Sequence, residues 1–272
     1  MADQYHKAQN KDAAKRTVLV TGATGAIGKA IARQLAEQDH AVVLAARNEE
    51  KARLAVNEIK RATGSEYVYF ELVDLSRKSS IQALADRWPG KLDVLVNNAG
   101  ATPRRRLETP EGIEMQWATN VLGYFWMMQT FAEKLEEAAP ARVINVASYW
   151  AGGLDLSDPE FKYRHYNNGS AYRQSKQADR MLTAAFAQMF APGQVTVNAC
   201  HPGDVNSQLS NDLGFGGSES PDAGARTPVW LATDPIGGRE TGKYFEQMHE
   251  SRDRFTSDRS AVEALYEVCL RY

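Results

Sequence analysis

The 272-residue sequence contains only two cysteines, Cys200 and Cys269, and neither stands in a metal-binding spacing. Two cysteines cannot build a disulfide framework, so we expect free thiols, no metal site and a reducing, cytoplasmic location. The first 16 residues are polar and lack the apolar stretch of a signal peptide or membrane anchor. We therefore expect residues 1–16 to form a tail, and we expect no membrane span.

An excess of charge of one sign is also lacking. The 32 basic and 34 acidic residues give a net charge of −2 and are scattered along the chain. Because nucleic acids and membrane surfaces attract clustered basic residues, we expect neither of them as a partner. The expected partner is a small-molecule substrate. Repeats, low-complexity segments and flexible linkers are absent too, so residues 17–272 are predicted to form one domain. The sequence is compatible with a homo-oligomer without requiring one.

Apolar runs of strand length alternate with helical patterns along this domain. The predicted strands are 17–21, 41–46, 67–73, 92–96, 142–146, 195–199 and 243–245. Helices are predicted after residue 26 and over 49–62, 79–88, 113–139, 170–190 and 224–232. Such alternation indicates an α/β fold of the Rossmann type, a doubly wound parallel sheet with helices on both faces.

A glycine-rich turn follows the first predicted strand. It runs Thr21-Gly22-Ala23-Thr24-Gly25-Ala26-Ile27-Gly28 and leads into a helix. Glycines let a backbone approach a pyrophosphate, and the helix N-terminus offers it free N–H groups. A plain tight turn is the alternative, but the position directly after the first strand favours dinucleotide binding.

Arg47 directly follows the second predicted strand, which ends in Ala45-Ala46. NAD-binding folds usually carry an acid there, whereas an arginine can hold the 2′-phosphate of NADP. A solvated arginine is the alternative. We predict that NADP(H) is preferred and that NAD(H) is the weaker cofactor.

Polar residues end the third and fourth predicted strands. Asp74 follows the third strand, and Asn97-Asn98-Ala99-Gly100 follows the fourth. Ligands bind at the carboxyl ends of strands in open parallel sheets, although these residue types also suit ordinary turns. Each position alone is explained by turn chemistry.

A tyrosine and a lysine share one face of the helix predicted over 170–190. Tyr172 and Lys176 are four residues apart, so the ammonium can favour the phenolate. Such a tyrosine can exchange a proton with a carbonyl or alcohol oxygen. Ser148, at the end of the fifth strand, can bond the same oxygen. The alternative interpretation is that Tyr172 and Lys176 are an incidental pair on an exposed helix and that Ser148 merely ends a strand.

Together the motifs resemble the short-chain dehydrogenase/reductase family over nearly the whole chain. The shared marks are the glycine turn, Asn97–Gly100, Asn120, Ser148, Tyr172-Arg173-Gln174-Ser175-Lys176 and His201-Pro202-Gly203 with Val205. Three further stretches are similar to the retinol-dehydrogenase-like branch, which includes NADP-linked carbonyl reductases: 109–114, 120–125 and 241–246.

The resemblance implies a role for each matching residue. Tyr172 would be the general acid or base, Lys176 would lower its pKa and hold the nicotinamide ribose, Ser148 would polarise the carbonyl, and Asn120 would support a proton-relay water. The implied cofactor contacts are Gly22, Ala23, Thr24, Gly25, Ala26, Ile27, Gly28, Arg47, Asp74, Leu75, Asn98, Ala99, Gly100, Tyr172, Lys176, Pro202, Gly203, Val205 and Ser207.

The spacing of the glycines departs from the main branch of the family. Glycine stands at 22, 25 and 28, with Ala26 where the main branch has glycine, as in enzymes that act on nucleotide sugars. We therefore predict an NADP-dependent carbonyl reductase or alcohol dehydrogenase and keep two alternatives. One is an NAD-dependent nucleotide-sugar epimerase or dehydratase, and the other is a non-catalytic dinucleotide sensor.

The segment between Ser148 and Tyr172 is longer than in many members of the family. It carries several aromatic residues, among them Trp150, Phe161 and Tyr166. Residues 149–171 are compatible with a flap over an apolar substrate and equally with a surface excursion that packs on the domain.

Overall fold

A computed structural model describes residues 15–272 and shows a single α/β domain around an eight-stranded sheet. The order of the strands across the sheet is β3-β2-β1-β4-β5-β6-β7-β8, and only the β7–β8 pair is antiparallel. The strands are β1 (Thr17–Thr21), β2 (Ala41–Ala46), β3 (Val68–Leu72), β4 (Val94–Asn97), β5 (Ala141–Val146), β6 (Val195–His201), β7 (Tyr244–Glu246) and β8 (His249–Ser251).

Helices connect the parallel strands. They are α1 (Ala26–Glu37), α2 (Glu49–Thr63), α3 (Lys78–Arg87), α4 (Gly123–Thr130), α5 (Ala132–Glu136), α6 (Asn168–Met189), α7 (Gln208–Asp212), α8 (Pro221–Thr233) and α9 (Arg259–Leu270). A π-helical segment, Trp117–Leu122, runs directly into α4, and a short 3₁₀ helix covers Pro235–Gly238.

The sheet is covered on both faces because alternate residues of each strand point to opposite sides. Leu19 of β1 belongs to a core with α3, α4, α6 and α9, whereas Val18 and Val20 belong to a core with α1, α2 and α8. The prediction of a doubly wound sheet with helices on both faces is therefore confirmed.

The order in which strands are added to the sheet changes direction between β1 and β4. β1 pairs with β2 on one side and with β4 on the other, so the chain winds outward in both directions from there. A crevice opens beyond the carboxyl ends of the strands at such a switch point. This topology fixes where a ligand can enter the domain.

Several boundaries differ from the sequence-based prediction. The helix predicted from residue 113 begins only after Glu114, because that carboxylate accepts hydrogen bonds from the backbone N–H groups of Gln116 and Trp117. The sequence analysis did not predict β8, α7 or α9. Of the predicted tail, residues 1–14 lie outside the described residues.

Candidate active site

A cavity of about 400 Å³ lies at the carboxyl edge of the sheet, over β1, β2 and β4. Thirteen of the residues predicted to bind a dinucleotide line it: Gly22, Thr24, Gly25, Ala26, Ile27, Gly28, Arg47, Asp74, Leu75, Asn98, Ala99, Gly100 and Ser207. Residues from at least five separate segments of the chain therefore meet at one crevice.

The glycine turn is held against the end of β4. Gly22 has a φ of +63°, and a Cβ atom there would lie 2.7 Å from the Cα atom of Ala99. The Asn98 side-chain amide donates to the Thr21 carbonyl at 2.9 Å, and the Thr21 hydroxyl accepts from the Asn98 backbone N–H at 2.8 Å. The turn is thus a rigid cradle at the N-terminus of α1, which suits a phosphate group.

Two basic side chains stand where β2 leads into α2. Arg47 and Lys51 both line the cavity and are exposed. Asn48 between them caps α2, because its side chain accepts from the Lys51 backbone N–H at 2.8 Å. Within residues 15–272, neither basic side chain forms an ion pair, so both charges are available to a ligand in the cavity.

Asp74 and Leu75 line the same cavity beyond β3. The Asp74 carboxylate accepts from the backbone N–H and the hydroxyl of Ser76, at 3.0 and 2.7 Å. These bonds hold the loop as an Asx turn and leave Leu75 buried. Ser207, which also lines the cavity, caps α7 by accepting from the Ser210 backbone N–H at 3.1 Å.

Besides the two predicted contacts on α6, four others lie apart from this cavity. Ala23 is fully buried in the core of the α1 face. Pro202, Gly203 and Val205 follow β6 and do not line the cavity, and Val205 forms an isolated bridge with Glu219. The structure therefore places them behind or beside the crevice.

Ser148 and Tyr172 come together at the end of β5 and the start of α6. The Ser148 side chain lies close enough to act on the Tyr172 phenol, and both residues are nearly buried, 5% and 8% exposed. Burial raises the pKa of the Tyr172 phenol, although Lys176 and Ser148 both act to lower it. The expected influence of Lys176 is present, but burial outweighs it.

Lys176 is held inside the domain. Its Nζ atom donates to the Val146 carbonyl at 2.9 Å and to Asp179 at 2.8 Å, and it lies 4.9 Å from the centre of the Tyr124 ring. The same atom lies 5.9 Å from the centre of the Tyr172 ring. The ammonium is therefore close enough to act on the phenol through its charge.

Asn120 is fully buried within the π-helical segment. Its side-chain oxygen accepts from the Ala101 backbone N–H at 2.8 Å, and its amide nitrogen donates to the Ala101 carbonyl at 3.1 Å. The amide also reaches the Ser175 hydroxyl at 3.3 Å, which ties it to α6. π-Helical turns often occur at functional sites, because they reposition one side chain within a helix.

Aromatic side chains surround the approach to Ser148. Trp150 donates its backbone N–H to the Ser148 hydroxyl at 3.1 Å, and its ring packs on Phe215 with centres 4.5 Å apart. Tyr149 packs on His201 at 4.6 Å and bonds Asp204 at 3.3 Å. Two aromatic contacts therefore involve the residues that directly follow Ser148.

The rest of the segment 149–171 is fixed to the body of the domain. The Asp158 carboxylate accepts from the backbone N–H groups of Lys162, Tyr163 and Arg164 at 2.7 to 3.1 Å. Glu160, only 3% exposed, accepts from the Tyr272 hydroxyl at 2.8 Å. The segment was predicted to be either a flap over the substrate or a surface excursion that packs on the domain. These contacts favour the packed excursion, with Trp150 at its start next to Ser148.

Sequence reasoning missed several residues at this site. Lys51 lies in the first turn of α2, four residues after Arg47, and Asp179 stands one turn after Lys176 on α6, so their positions near motif residues were the available signal. The remaining cavity-lining residues carry no motif: Ala45, Ala46, Asn48, Val73, Ala101, Thr102, Thr119, Gln208, Leu209 and Asp212.

This fold and this arrangement define a dinucleotide-binding protein of the α/β class. The family model for short chain dehydrogenase matches residues 16–214, and the chain belongs to that family. Human retinol dehydrogenase 13 is 33% identical over 255 residues, which cover 86% of this chain and 77% of that protein. The chain therefore lies in the retinol-dehydrogenase-like branch, as its motifs suggested.

Solved structures agree with this assignment. An uncharacterised protein from Mycobacterium paratuberculosis superposes with a TM-score of 0.80 and 26% identity, covering 97% of this chain and 96% of that one. A single-substitution variant of actinorhodin polyketide ketoreductase with NADPH gives a TM-score of 0.66 and 26% identity, covering 86% and 95%. The nucleotide-sugar alternative is not favoured by these relatives.

No helix in the described part of the chain is long and apolar enough to cross a membrane. Across the same residues, no group of three or more His, Cys, Asp or Glu side chains is arranged to hold a metal ion.

Proposed function

We propose that this protein is an NADP(H)-dependent carbonyl reductase or alcohol dehydrogenase. The observation that carries the proposal is the buried pairing of Ser148 with Tyr172 beside Lys176, in the same domain as a glycine-cradled cavity rimmed by Arg47 and Lys51. When bound, the nicotinamide supplies or accepts the hydride. The chain's own residues bind the dinucleotide, orient the carbonyl and move a proton.

The proton is handled by Tyr172. In reduction its hydroxyl donates to the oxygen of the carbonyl, and in oxidation its phenolate takes the proton from the alcohol. The Ser148 hydroxyl bonds the same oxygen and so fixes the carbonyl in reach of the phenol. Because burial raises the pKa of Tyr172, the protonated, acid form prevails at neutral pH. Asn120, through Ala101 and Ser175, holds this part of α6 in register with the cavity.

The preference for NADP(H) rests on charge at the end of β2. No acid stands at Ala45-Ala46 to bind a ribose 2′-hydroxyl, and Arg47 and Lys51 offer two cations to a 2′-phosphate. Lys29, which also lies near the glycine turn in sequence, is paired with Glu58 at 2.8 Å and does not line the cavity. The related ketoreductase, whose structure contains NADPH, supports the same choice.

The substrate is proposed to be a small or lipophilic carbonyl compound. Trp150 and Phe215 form an aromatic wall next to Ser148, and burial against such rings favours apolar groups. The retinol dehydrogenase named among the relatives fits this substrate class.

The proposal is tested by following the ultraviolet absorbance of NADPH and NADH with a panel of aldehydes, ketones and quinones. We expect NADPH to be consumed faster than NADH, and faster with aromatic or long-chain carbonyls than with short ones. Tight cofactor binding without turnover on any carbonyl would point instead to a dinucleotide sensor. Tightly bound NAD, together with no net consumption of NADPH or NADH, would support the nucleotide-sugar alternative instead.

A further inference from the structure

A buried acid stands beside the Tyr172–Lys176 pair and has no part in the proposed chemistry. Asp179 lies on the same stripe of α6, three residues after Lys176 and seven after Tyr172. It is fully buried, and its Oδ2 atom lies 2.8 Å from the Lys176 Nζ atom, which is itself buried. A carboxylate at this depth needs a compensating charge, and Lys176 is the cation in contact with it.

The contacts of Asp179 are directed at Lys176. Within residues 15–272, its second carboxylate oxygen, Oδ1, has no hydrogen-bond partner. A carboxylate that serves mainly to support the backbone is normally saturated by N–H donors, as Asp158 is. The only bond that Asp179 makes to Thr183 uses its main-chain carbonyl, at 2.8 Å. The side chain of Asp179 therefore acts on Lys176.

We infer that Asp179 neutralises the charge of Lys176 at Tyr172 and thereby keeps the phenol protonated, so that Asp179 is the positioning residue that fits this site to carbonyl reduction. The inference rests on the proposed function for the role of Tyr172. Lys176 alone favours the phenolate, whereas the Asp179 carboxylate beside it opposes part of that effect on Tyr172.

Other titratable groups face this cluster from the neighbouring elements. They are Tyr124 from α4, Cys200 from β6, Cys269 from α9 and Asp204 from the loop after β6. Burial raises the pKa of Tyr124 and of both thiols, so these three remain neutral. The charges that act on Tyr172 are thus Lys176, Asp179 and the more distant Asp204, which bonds Tyr149.

The sign of the effect follows from these charges. Burial raises the pKa of Tyr172 and Lys176 lowers it, while Asp179 raises it further. Burial raises the pKa of Asp179 to about 7, so its carboxylate is ionised in the alkaline range where a phenol titrates. Replacement of Asp179 by asparagine keeps the shape of the side chain and removes that negative charge. The charge of Lys176 is then opposed only by that of Asp204, and the pKa of Tyr172 falls.

The direct test is a titration of the cofactor-free protein by the ultraviolet absorbance of tyrosinate. The Tyr172 signal is the difference between a protein and its Tyr172→Phe counterpart, measured in the parent and in Asp179→Asn. We expect Tyr172 to titrate roughly one pH unit lower in Asp179→Asn. An unchanged or higher midpoint overturns the inference.

Two further variants serve as controls for the titration. If the Asp179→Asn protein folds poorly because its buried amide lacks hydrogen-bond partners, Asp179→Ala is the substitute. Alanine also removes the charge and has no polar side-chain atoms to satisfy. Asp253→Asn is the matched control, because Asp253 is an acid bound to Arg180 of the same helix, at 3.0 Å, away from Lys176. We expect the Asp253→Asn protein to titrate like the parent, and a shift equal to that of Asp179→Asn would overturn the inference.

Kinetics separate this inference from the proposed function. In Asp179→Asn, the alkaline limit of carbonyl reduction and the acid limit of alcohol oxidation should both move to lower pH, because one group controls both. A parent protein without turnover but with the expected shift in the titration would refute the proposed function and leave the charge coupling intact. A parent with turnover and no shift would refute the coupling alone.

Discussion

Gly28 lies directly against the backbone of Gly22. A Cβ atom at position 28 would stand 2.5 Å from the Gly22 carbonyl oxygen, whereas one at Gly25 would stand 3.3 Å from the same oxygen. We expect Gly28→Ala to lower the free energy of unfolding by about 1–3 kcal/mol through overpacking, and to weaken dinucleotide binding. Gly25→Ala is the matched control for stability. Thermal denaturation should separate the two variants, and equal losses would contradict this account of the turn.

Replacement of Tyr172 by phenylalanine removes the proposed proton donor. We expect turnover to fall by roughly 10²–10⁴-fold, the usual contribution of general acid–base catalysis. Cofactor affinity should change little, because Tyr172 does not line the dinucleotide cavity. Tyr163→Phe is the matched control, since Tyr163 is 89% exposed. Steady-state kinetics and fluorescence titration with NADPH measure the two effects, and retention of more than about a tenth of the activity would refute the role of Tyr172.

The cofactor preference is expected to depend on Arg47 and Lys51 together. Each charge-assisted hydrogen bond to a phosphate contributes about 1.5–3 kcal/mol, so each alanine variant should weaken NADPH roughly ten- to a hundredfold. NADH binding should change little, because NADH has no 2′-phosphate. Lys29→Ala serves as the control, since Lys29 is paired with Glu58. Dissociation constants for both cofactors test this, and equal affinity of the parent for NADPH and NADH would overturn the assignment.

The stability of the protein should fall in mild acid because of a histidine. Burial lowers the pKa of His201, so the unfolded chain binds this proton more readily than the folded one. The contribution of His201 is therefore complete above the unfolded value of about 6.5 and is lost as the pH falls below it. We expect His201→Gln to reduce the fall in Tm between about pH 7 and pH 5. His249→Gln, which alters an exposed histidine, should keep the parent's slope. An identical slope in both variants would exclude this role for His201.

Most of the fold was predictable because most of its strands are short and largely apolar. The bounds of β1 and β2 match the prediction, since both strands are buried on both faces. β8 was not predicted, because His249, Glu250 and Ser251 show no apolar pattern and form a strand only by pairing with β7. For α9 the pattern was available, as Val262, Leu265 and Cys269 lie on one buried face, and it was overlooked.

The sequence by itself determined the family, the glycine turn and the identity of the side chains at the proposed site, because these are local patterns of residue type and spacing. Only the tertiary structure decided that Asp179 meets Lys176 without any other side-chain partner in the described residues. It also decided that Lys29 is bound to Glu58 while Lys51 faces the cavity. Burial and the distance between residues far apart in the chain depend on how helices pack on the sheet, and a pattern within one segment carries no information about that packing.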